Sequence, residues 1–167
     1  MNQRQYSASE KLTATQLAED RGAFFKSVIG TLNHILIGDI VWLKRFALHP
    51  SGSSPLAHVS ELDNPTSLSA ILFEDLGLLK TEREKIDEII INWIKQLSDN
   101  DLNDCLSYTN MSGKRFTRPL GSLIDHLFLH QVHHRGQVTT LLSQFGVDFG
   151  ETDLVEIIDE CDDIDRT

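Results

Sequence analysis

The chain has few cysteines, no long hydrophobic run and no excess of basic residues. Its two cysteines, Cys105 and Cys161, lie far apart and in no ligand-like spacing, so we expect no disulfide framework and a reducing compartment. No apolar run approaches the roughly 20 residues of a membrane helix, and the polar N-terminus does not resemble a secretory signal. The sequence therefore predicts a soluble, cytoplasmic protein with no membrane partner.

The formal net charge of −10 at pH 7 argues against a protein that binds duplex DNA by neutralising its phosphates. Lysine and arginine are scattered along the chain. Residues 151–167 hold eight acids and one arginine, a net charge of −7, which leaves −3 for the rest of the chain. The acidity is largely a property of this C-terminal tail, and we expect no nucleic-acid partner.

Length and composition predict a single domain over residues 1–167, since 40% hydrophobic and 24% charged residues are typical of globular proteins. The spacing of apolar residues predicts four helices, the second of them central and buried. They cover residues 2–20, 27–48 and 68–97, and a last stretch from Pro119 to Gly146.

The remaining segments are predicted to connect these helices or to follow them. Residues 49–67 are rich in Ser, Pro and Gly and form a long loop, and the acidic tail 151–167 contains a short apolar helix. Two short runs on either side of residues 110–113 predict a small hairpin between the third and fourth helices. The predicted fold class is all-α, a four-helix bundle.

The last helix carries a pair of histidines at a spacing that suits a metal ion. His130 and His134 are four residues apart and therefore project side by side. They fall in a gap of the apolar stripe of this helix, so they should point into the bundle. Unpaired buried polar groups cost about 1–3 kcal/mol each, and a shared metal ion satisfies both imidazoles.

A third ligand is expected from the central helix, where His34 is flanked four residues away on each side by Gly30 and Gly38. Three histidines without a fourth protein ligand leave coordination positions open, as in catalytic metal sites. The predicted cofactor is a divalent metal ion, with Zn²⁺ as the default and Ni²⁺, Cu²⁺ or Fe²⁺ also suited to imidazole.

Other interpretations of the same residues remain open at this point. Each histidine of the trio could instead be a core residue with satisfied hydrogen bonds, and His126 could replace His34 as the third ligand, although three ligands along one straight helix diverge. His49 and His58 are expected to face solvent, and His133 to face solvent or a partner subunit. Arg135 is expected to form a salt bridge with a neighbouring acid, and binding of an anionic substrate is its alternative role. Trp42 and Trp93 are expected to lie in the core.

The strings GAFFKSVIGTLNHILIGDIVWLKRF and HLFLHQVHHRGQVTTLLSQFG resemble the two signature helices of the DinB/YfiT-like metalloenzyme family. The segments EREKIDEIIINWI and DLVEIIDE resemble its third helix and C-terminal end. The resemblance implies an up-down-down-up four-helix bundle, often a homodimer, with a divalent metal on His34, His130 and His134. Family members usually begin with a longer first helix containing a YNxWxN-like stretch, so the helix over residues 2–20 is short by comparison.

The resemblance also implies a function, because better-understood members of this family are thiol S-transferases and isomerases that use low-molecular-weight thiols. A metal on three histidines lowers the pKa of a bound thiol or water. We therefore expect a metal-dependent, thiol-dependent S-transferase whose partners are a small electrophile and a low-molecular-weight thiol. The alternatives are a metal-dependent hydrolase and a non-catalytic metal-binding stress-response protein. No general base is predicted.

Overall fold

The computed structural model describes residues 2–153 together with Val155 and Ile158. This part of the chain forms seven helices and one two-stranded sheet. No helix within it is long and apolar enough to cross a membrane. The helices are α1 (Asn2–Ser9), α2 (Ala14–Ala18), α3 (Val28–Phe46), α4 (Ala57–Glu61), α5 (Leu76–Ile94), α6 (Asp99–Asn103) and α7 (Leu120–Gln144), and the strands are β1 (Cys105–Thr109) and β2 (Arg115–Pro119).

Helix α3 lies at the centre of the molecule because its sequence is apolar on nearly every side. Its first turn is capped by Ser27, whose side-chain oxygen accepts a hydrogen bond from the backbone N–H of Gly30 at 3.1 Å. Every residue from 28 to 40 is buried, and the helix contacts α2, α4, α5 and α7. The predicted central helix over residues 27–48 is therefore confirmed, with ends that differ by one or two residues.

Helix α7 packs along α3 and supplies the second half of the core. Its buried apolar residues include Leu120, Leu127 and Val138, as the predicted stripe requires. The helix ends before Gly146, which has a positive φ of 69° and donates its backbone N–H to the carbonyl of Ser143 at 2.9 Å. Glycine adopts this left-handed conformation without strain, so it terminates the helix.

The third long helix begins later than predicted. Helix α5 starts at Leu76, and its first turn is capped by Asp75, whose side chain accepts a hydrogen bond from the backbone N–H of Leu78 at 2.8 Å. Residues 68–75, which were predicted to be helical, therefore lie outside the helix. The reason is the buried side chain of Asn33 on α3. Its Oδ1 accepts the backbone N–H groups of Leu72 and Phe73, and its Nδ2 donates to the carbonyl of Phe73.

The predicted first helix, over residues 2–20, is replaced by two short helices, α1 and α2. Helix α2 has its own start signal, since the side chains of Thr13 and Gln16 each bind the other's backbone N–H in a capping box. The long loop predicted over residues 49–67 contains a short helix, α4. The apolar helix predicted in the C-terminal tail falls largely outside the described residues, as does Cys161.

The predicted hairpin between the third and fourth long helices is confirmed. Strands β1 and β2 pair antiparallel, with Leu106 opposite Arg118 and Tyr108 opposite Phe116. The structure is thus mainly helical with one small sheet. The up-down-down-up arrangement of four helices stays a prediction, because the first of the four is two short segments in the structure.

Candidate metal centre

The three histidines singled out from the sequence lie together between α3 and α7. The Nε2 atom of His34 lies 3.2 Å from Nε2 of His130 and 3.1 Å from Nε2 of His134. One nitrogen of each ring lies within 4.8 Å of the other two. Among the described residues, no other cluster of histidine, cysteine or carboxylate side chains is close enough to hold a metal ion.

Hydrogen bonds orient two of the three rings. Nδ1 of His34 lies 2.8 Å from the carbonyl oxygen of Leu68, and Nδ1 of His134 lies 2.9 Å from Oε1 of Gln137. The side-chain nitrogen of Gln137 lies 3.2 Å from Nε2 of His133, and this contact turns the side-chain oxygen of Gln137 toward His134. Because an amide oxygen only accepts, each Nδ1 carries the hydrogen and donates it, which leaves a lone pair on each Nε2.

A divalent cation fits this arrangement of nitrogen atoms. With the hydrogens on Nδ1, the Nε2 atoms of His34 and His134 both carry lone pairs and lie 3.1 Å apart, and a positive charge between them removes their repulsion. Nitrogen ligands about 2.0–2.1 Å from a tetrahedral Zn²⁺ lie roughly 3.3 Å from each other, close to the distances between these rings. The structure thus brings the predicted trio together in a geometry compatible with a metal site, while the ligand assignment itself stays a prediction.

Burial keeps the three imidazoles neutral. Burial, together with the nearby imidazoles of His134 and His34, lowers the pKa of His130 to about 4. Burial also lowers the pKa of His34, against the hydrogen bond to Leu68, and that of His134, against the hydrogen bond to Gln137. Neutral imidazole is the form that binds metal ions, so the cluster is in its binding form near pH 7.

The two glycines beside His34 make room for different neighbours. A β-carbon on Gly38 would lie 2.7 Å from Cε1 of His130, so this position admits the imidazole from α7. A β-carbon on Gly30 would lie 2.2 Å from the carbonyl oxygen of Phe25. Gly30 therefore lets the turn before α3 approach the helix, and that turn stacks the Phe25 ring on His34 with 3.7 Å between centroids.

A buried polar cluster lies next to the histidines along both helices. Asp39 follows Gly38 on α3, and its Oδ2 accepts hydrogen bonds from Gln131 on α7, at 2.7 Å, and from Arg83 on α5. Burial raises the pKa of Asp39 to about 6, against the lowering effect of Arg83. These bonds join α3, α5 and α7 beside the three imidazoles and limit movement between the ligand-bearing helices.

The histidine cluster borders a cleft of about 470 Å³, a size suited to a small ligand. On α3 the lining runs from His34 and Gly38 to Trp42 and Arg45, and the β1–β2 turn and α7 form the other walls. The guanidinium carbon of Arg45 lies 4.5 Å from the centre of the Trp42 ring. Burial lowers the pKa of Arg45.

The remaining histidines lie outside the cluster. His126 is exposed, with its ring 5.0 Å from Trp42 and 6.0 Å from His130 between centroids. It lines the cleft, so the alternative in which it replaces His34 within the cluster is not what the structure shows. His133 and His58 are exposed, as expected.

The expectation for His49 was wrong. Its side chain is 3% exposed, and its Nδ1 accepts hydrogen bonds from the backbone N–H of Ser51 at 3.2 Å and from the Ser51 hydroxyl at 2.7 Å. Its Nε2 lies 3.4 Å from Oδ2 of Asp104. It is buried because the chain after α3 folds back over the core, where the carbonyl of Ser51 also accepts a hydrogen bond from Trp93.

Two further expectations need correction. Arg135 forms no salt bridge with a described residue, and its Nη1 lies 3.4 Å from Asn2 and 3.3 Å from Gln131 instead. Trp93 is buried in the core, as expected, whereas Trp42 is only half-buried and lines the cleft.

Several residues of the site were not found from the sequence. Gln137 follows His134 by three residues, a helical spacing that could have indicated a hydrogen-bond partner. Arg45 lies on the same face of α3 as His34, eleven residues further on, and that periodicity could have placed it in the cleft. Phe25 and the carbonyl of Leu68 reach His34 through non-helical segments and left no such signal.

A family model, a curated protein and a crystal structure that resemble this chain all come from one family. The sequence model of the DinB family matches residues 1–163. The chain is 27% identical over 153 residues to Protein DinB of Bacillus subtilis strain 168, covering 91% of this chain and 84% of that protein. A crystal structure of a DinB-like protein from Bacillus cereus ATCC 10987 superposes with a TM-score of 0.64 at 18% identity, covering 91% and 90% of the two chains, so it has the same fold. The chain therefore belongs to the DinB family.

Proposed function

We propose that this protein is a divalent-metal-dependent enzyme that transfers a low-molecular-weight thiol to a small electrophile, with His34, His130 and His134 as the metal ligands. The observation that carries the proposal is the cluster of three neutral imidazoles beside a cleft of ligand size. Three protein ligands leave coordination positions for another group, whereas closed structural sites use four. When bound, a divalent metal such as Zn²⁺ or Ni²⁺ lowers the pKa of a thiol or a water molecule and supplies a nucleophile near neutral pH.

The protein's own residues hold and shape this site. Leu68 and Gln137 fix the hydrogens of His34 and His134 on Nδ1, so that both Nε2 atoms present lone pairs to the same point. The stacked ring of Phe25 covers His34 and keeps water from that imidazole. The cleft gives a substrate access to His34 and His130, which both line it.

The experiment supplies the Zn²⁺- or Ni²⁺-loaded protein with cysteine or glutathione and 1-chloro-2,4-dinitrobenzene. In the transfer, a carbon–sulfur bond forms and the carbon–chlorine bond breaks. Chloride leaves with the bonding electrons, and the thiol proton passes to solvent. We expect thioether formation, followed by absorbance, above the rate of the protein-free mixture, and a loss of that excess in His130→Ala.

Two other outcomes separate the competing functions. Metal-dependent hydrolysis of 4-nitrophenyl acetate without any thiol, together with no thioether formation, would favour the hydrolase. No turnover with either substrate, in a protein that binds one metal ion per chain, would favour a non-catalytic metal-binding protein.

A further inference from the structure

The cleft beside the three histidines contains a cation without a counter-charge among the described residues. Arg45 is half-buried. Within the described part of the chain, no carboxylate oxygen lies within 4.0 Å of its guanidinium nitrogens. Its charged group instead lies over two aromatic rings, 4.5 Å from the centre of Trp42 and 5.2 Å from that of Tyr108. By contrast, the buried Arg83 is paired with both Asp39 and Asp87.

Stacking on aromatic rings orients a guanidinium without using its hydrogen-bond donors. The N–H groups of arginine lie in the guanidinium plane and point outward from its edge. Contact with the two rings uses none of these N–H groups, so they remain free to bind a planar acceptor with two parallel hydrogen bonds. A carboxylate is the acceptor that matches this geometry.

The surroundings of Arg45 favour an anionic ligand even though the whole chain is acidic. The part of the hairpin that lines the cleft, residues 110–112, contains no aspartate or glutamate. Among the described residues that line the cleft, Arg45 is the one charged side chain and no carboxylate is present, and a cleft whose charge has one sign concentrates ligands of the opposite sign.

We propose that Arg45 binds a carboxylate of the thiol substrate, so that the cleft takes an elongated, carboxylate-bearing thiol whose sulfur lies at the three-histidine cluster. This inference rests on the proposed function and names its substrate class. Arg45 acts as a specificity-determining residue, and it lies on the same face of α3 as His34 and Gly38.

The position of Arg45 along α3 sets the length of the ligand. His130 lies against Gly38, and seven residues at a rise of about 1.5 Å each separate Gly38 from Arg45 by about 10 Å along the axis. A thiol must therefore carry its acid group several bonds away from its sulfur. Glutathione, a tripeptide thiol with two carboxylates, has this span and serves as the probe.

The test measures binding of three probes to the Zn²⁺-loaded protein by isothermal titration calorimetry: glutathione, its diethyl ester and S-methylglutathione. The ester keeps the thiol and lacks both carboxylates, while the S-methyl compound keeps the carboxylates and lacks the thiol. We expect Arg45→Gln to weaken glutathione binding about tenfold or more, as for loss of a charge-assisted hydrogen bond, and to change ester binding less than twofold. Arg45→Lys, which keeps the charge but not the planar fork, should give an intermediate loss.

Arg115→Gln is the matched control, because it removes the same charge from an exposed position on β2 that does not line the cleft. Equal affinities of Arg45→Gln and Arg115→Gln for glutathione, equal binding of the acid and the ester, or no binding of glutathione to the loaded protein would each overturn the proposal. Titration of S-methylglutathione into the metal-free protein tests the carboxylate site at Arg45 separately from the proposed metal-dependent transfer. Binding that depends on Arg45 there supports the carboxylate site even if metal-dependent transfer fails.

Discussion

The imidazole of His130 occupies the space that a side chain at Gly38 would need. A β-carbon at Gly38 would lie 2.7 Å from Cε1 and 3.3 Å from Nδ1 of this ring. Two helices that are distant in sequence therefore meet with a histidine on one and no side chain on the other. The glycine is required by the position of the imidazole, because helix α3 itself would be more stable with alanine.

Gly38→Ala should weaken metal binding by about tenfold or more, an effect of the size seen when groups that orient metal ligands are lost. The new methyl group forces the His130 ring away from His34, while alanine itself favours the helix by up to about 1 kcal/mol. Metal affinity is measured by competition with a chromogenic chelator, and helix content by circular dichroism.

Gly136→Ala is the matched control for this substitution. Gly136 also lies inside a helix, α7, but a β-carbon there would meet nothing within 4 Å. This variant should keep the affinity of the unchanged protein and gain stability. If Gly38→Ala bound metal as tightly as Gly136→Ala, the close contact between His130 and Gly38 would be irrelevant to the site.

Substitution of any one histidine of the cluster by alanine should abolish binding of one metal ion per chain. With His34, His130 or His134 removed, two imidazoles remain, and two ligands hold a divalent ion far more weakly than three. His58→Ala serves as the control, since His58 is an exposed histidine outside the cluster. Elemental analysis after gel filtration gives the metal content, and an unchanged content in His130→Ala and His134→Ala would refute the ligand assignment.

Gln137→Ala should reduce metal affinity by about 10–100-fold, the usual effect of losing the group that orients a histidine ligand. Its Oε1 accepts the Nδ1 hydrogen of His134 at 2.9 Å and so fixes the tautomer that presents Nε2 to the metal. Gln137→Glu should bind more tightly than the unchanged protein, because a carboxylate accepts the same hydrogen more strongly. An affinity equal to that of the unchanged protein in both variants would show that His134 is oriented by packing alone.

His130 should destabilise the metal-free protein as the pH falls from 6.5 toward 4, and Asp39, whose pKa is raised to about 6, should oppose this effect. The pKa of His130 is lowered from 6.5 to about 4 in the folded chain, so within this range the unfolded chain binds more protons at this position. The contribution of His130 to the free energy of unfolding therefore decreases as the pH falls, and it regains its full value above the unfolded pKa.

His130→Gln isolates this contribution, because other titrating groups affect both proteins alike. Urea unfolding in the presence of a chelator, at about pH 7 and about pH 4.5, should show a smaller loss of stability in the variant. Equal losses in the two proteins would mean that the folded chain does not hold His130 neutral.

Much of the site follows from helical spacing. His130 and His134 could be paired from their separation of four residues, and Gly30 and Gly38 marked the face of His34 as one that needs room. The hairpin was predictable because its strands flank a turn sequence. These features depend on neighbours in sequence, and local patterns report them well.

The errors arise where a distant side chain determines the local backbone. Leu68 and Leu72 have helical spacing relative to Leu76, yet Asn33 binds the backbone at Leu72 and Phe73 and keeps that segment out of α5. The same holds for His49, whose burial depends on how the chain after α3 crosses the core. No pattern within either segment contains that information.

The three nitrogens come from only two helices, and this has a consequence for the unfolded chain. His34 and His130 are 96 residues apart in sequence. A cation held by both closes a loop that includes α4, α5, α6 and the hairpin, and it reduces the entropy of unfolding much as a covalent cross-link would. If the cluster binds a cation, a higher concentration of free metal would raise the melting temperature of the protein.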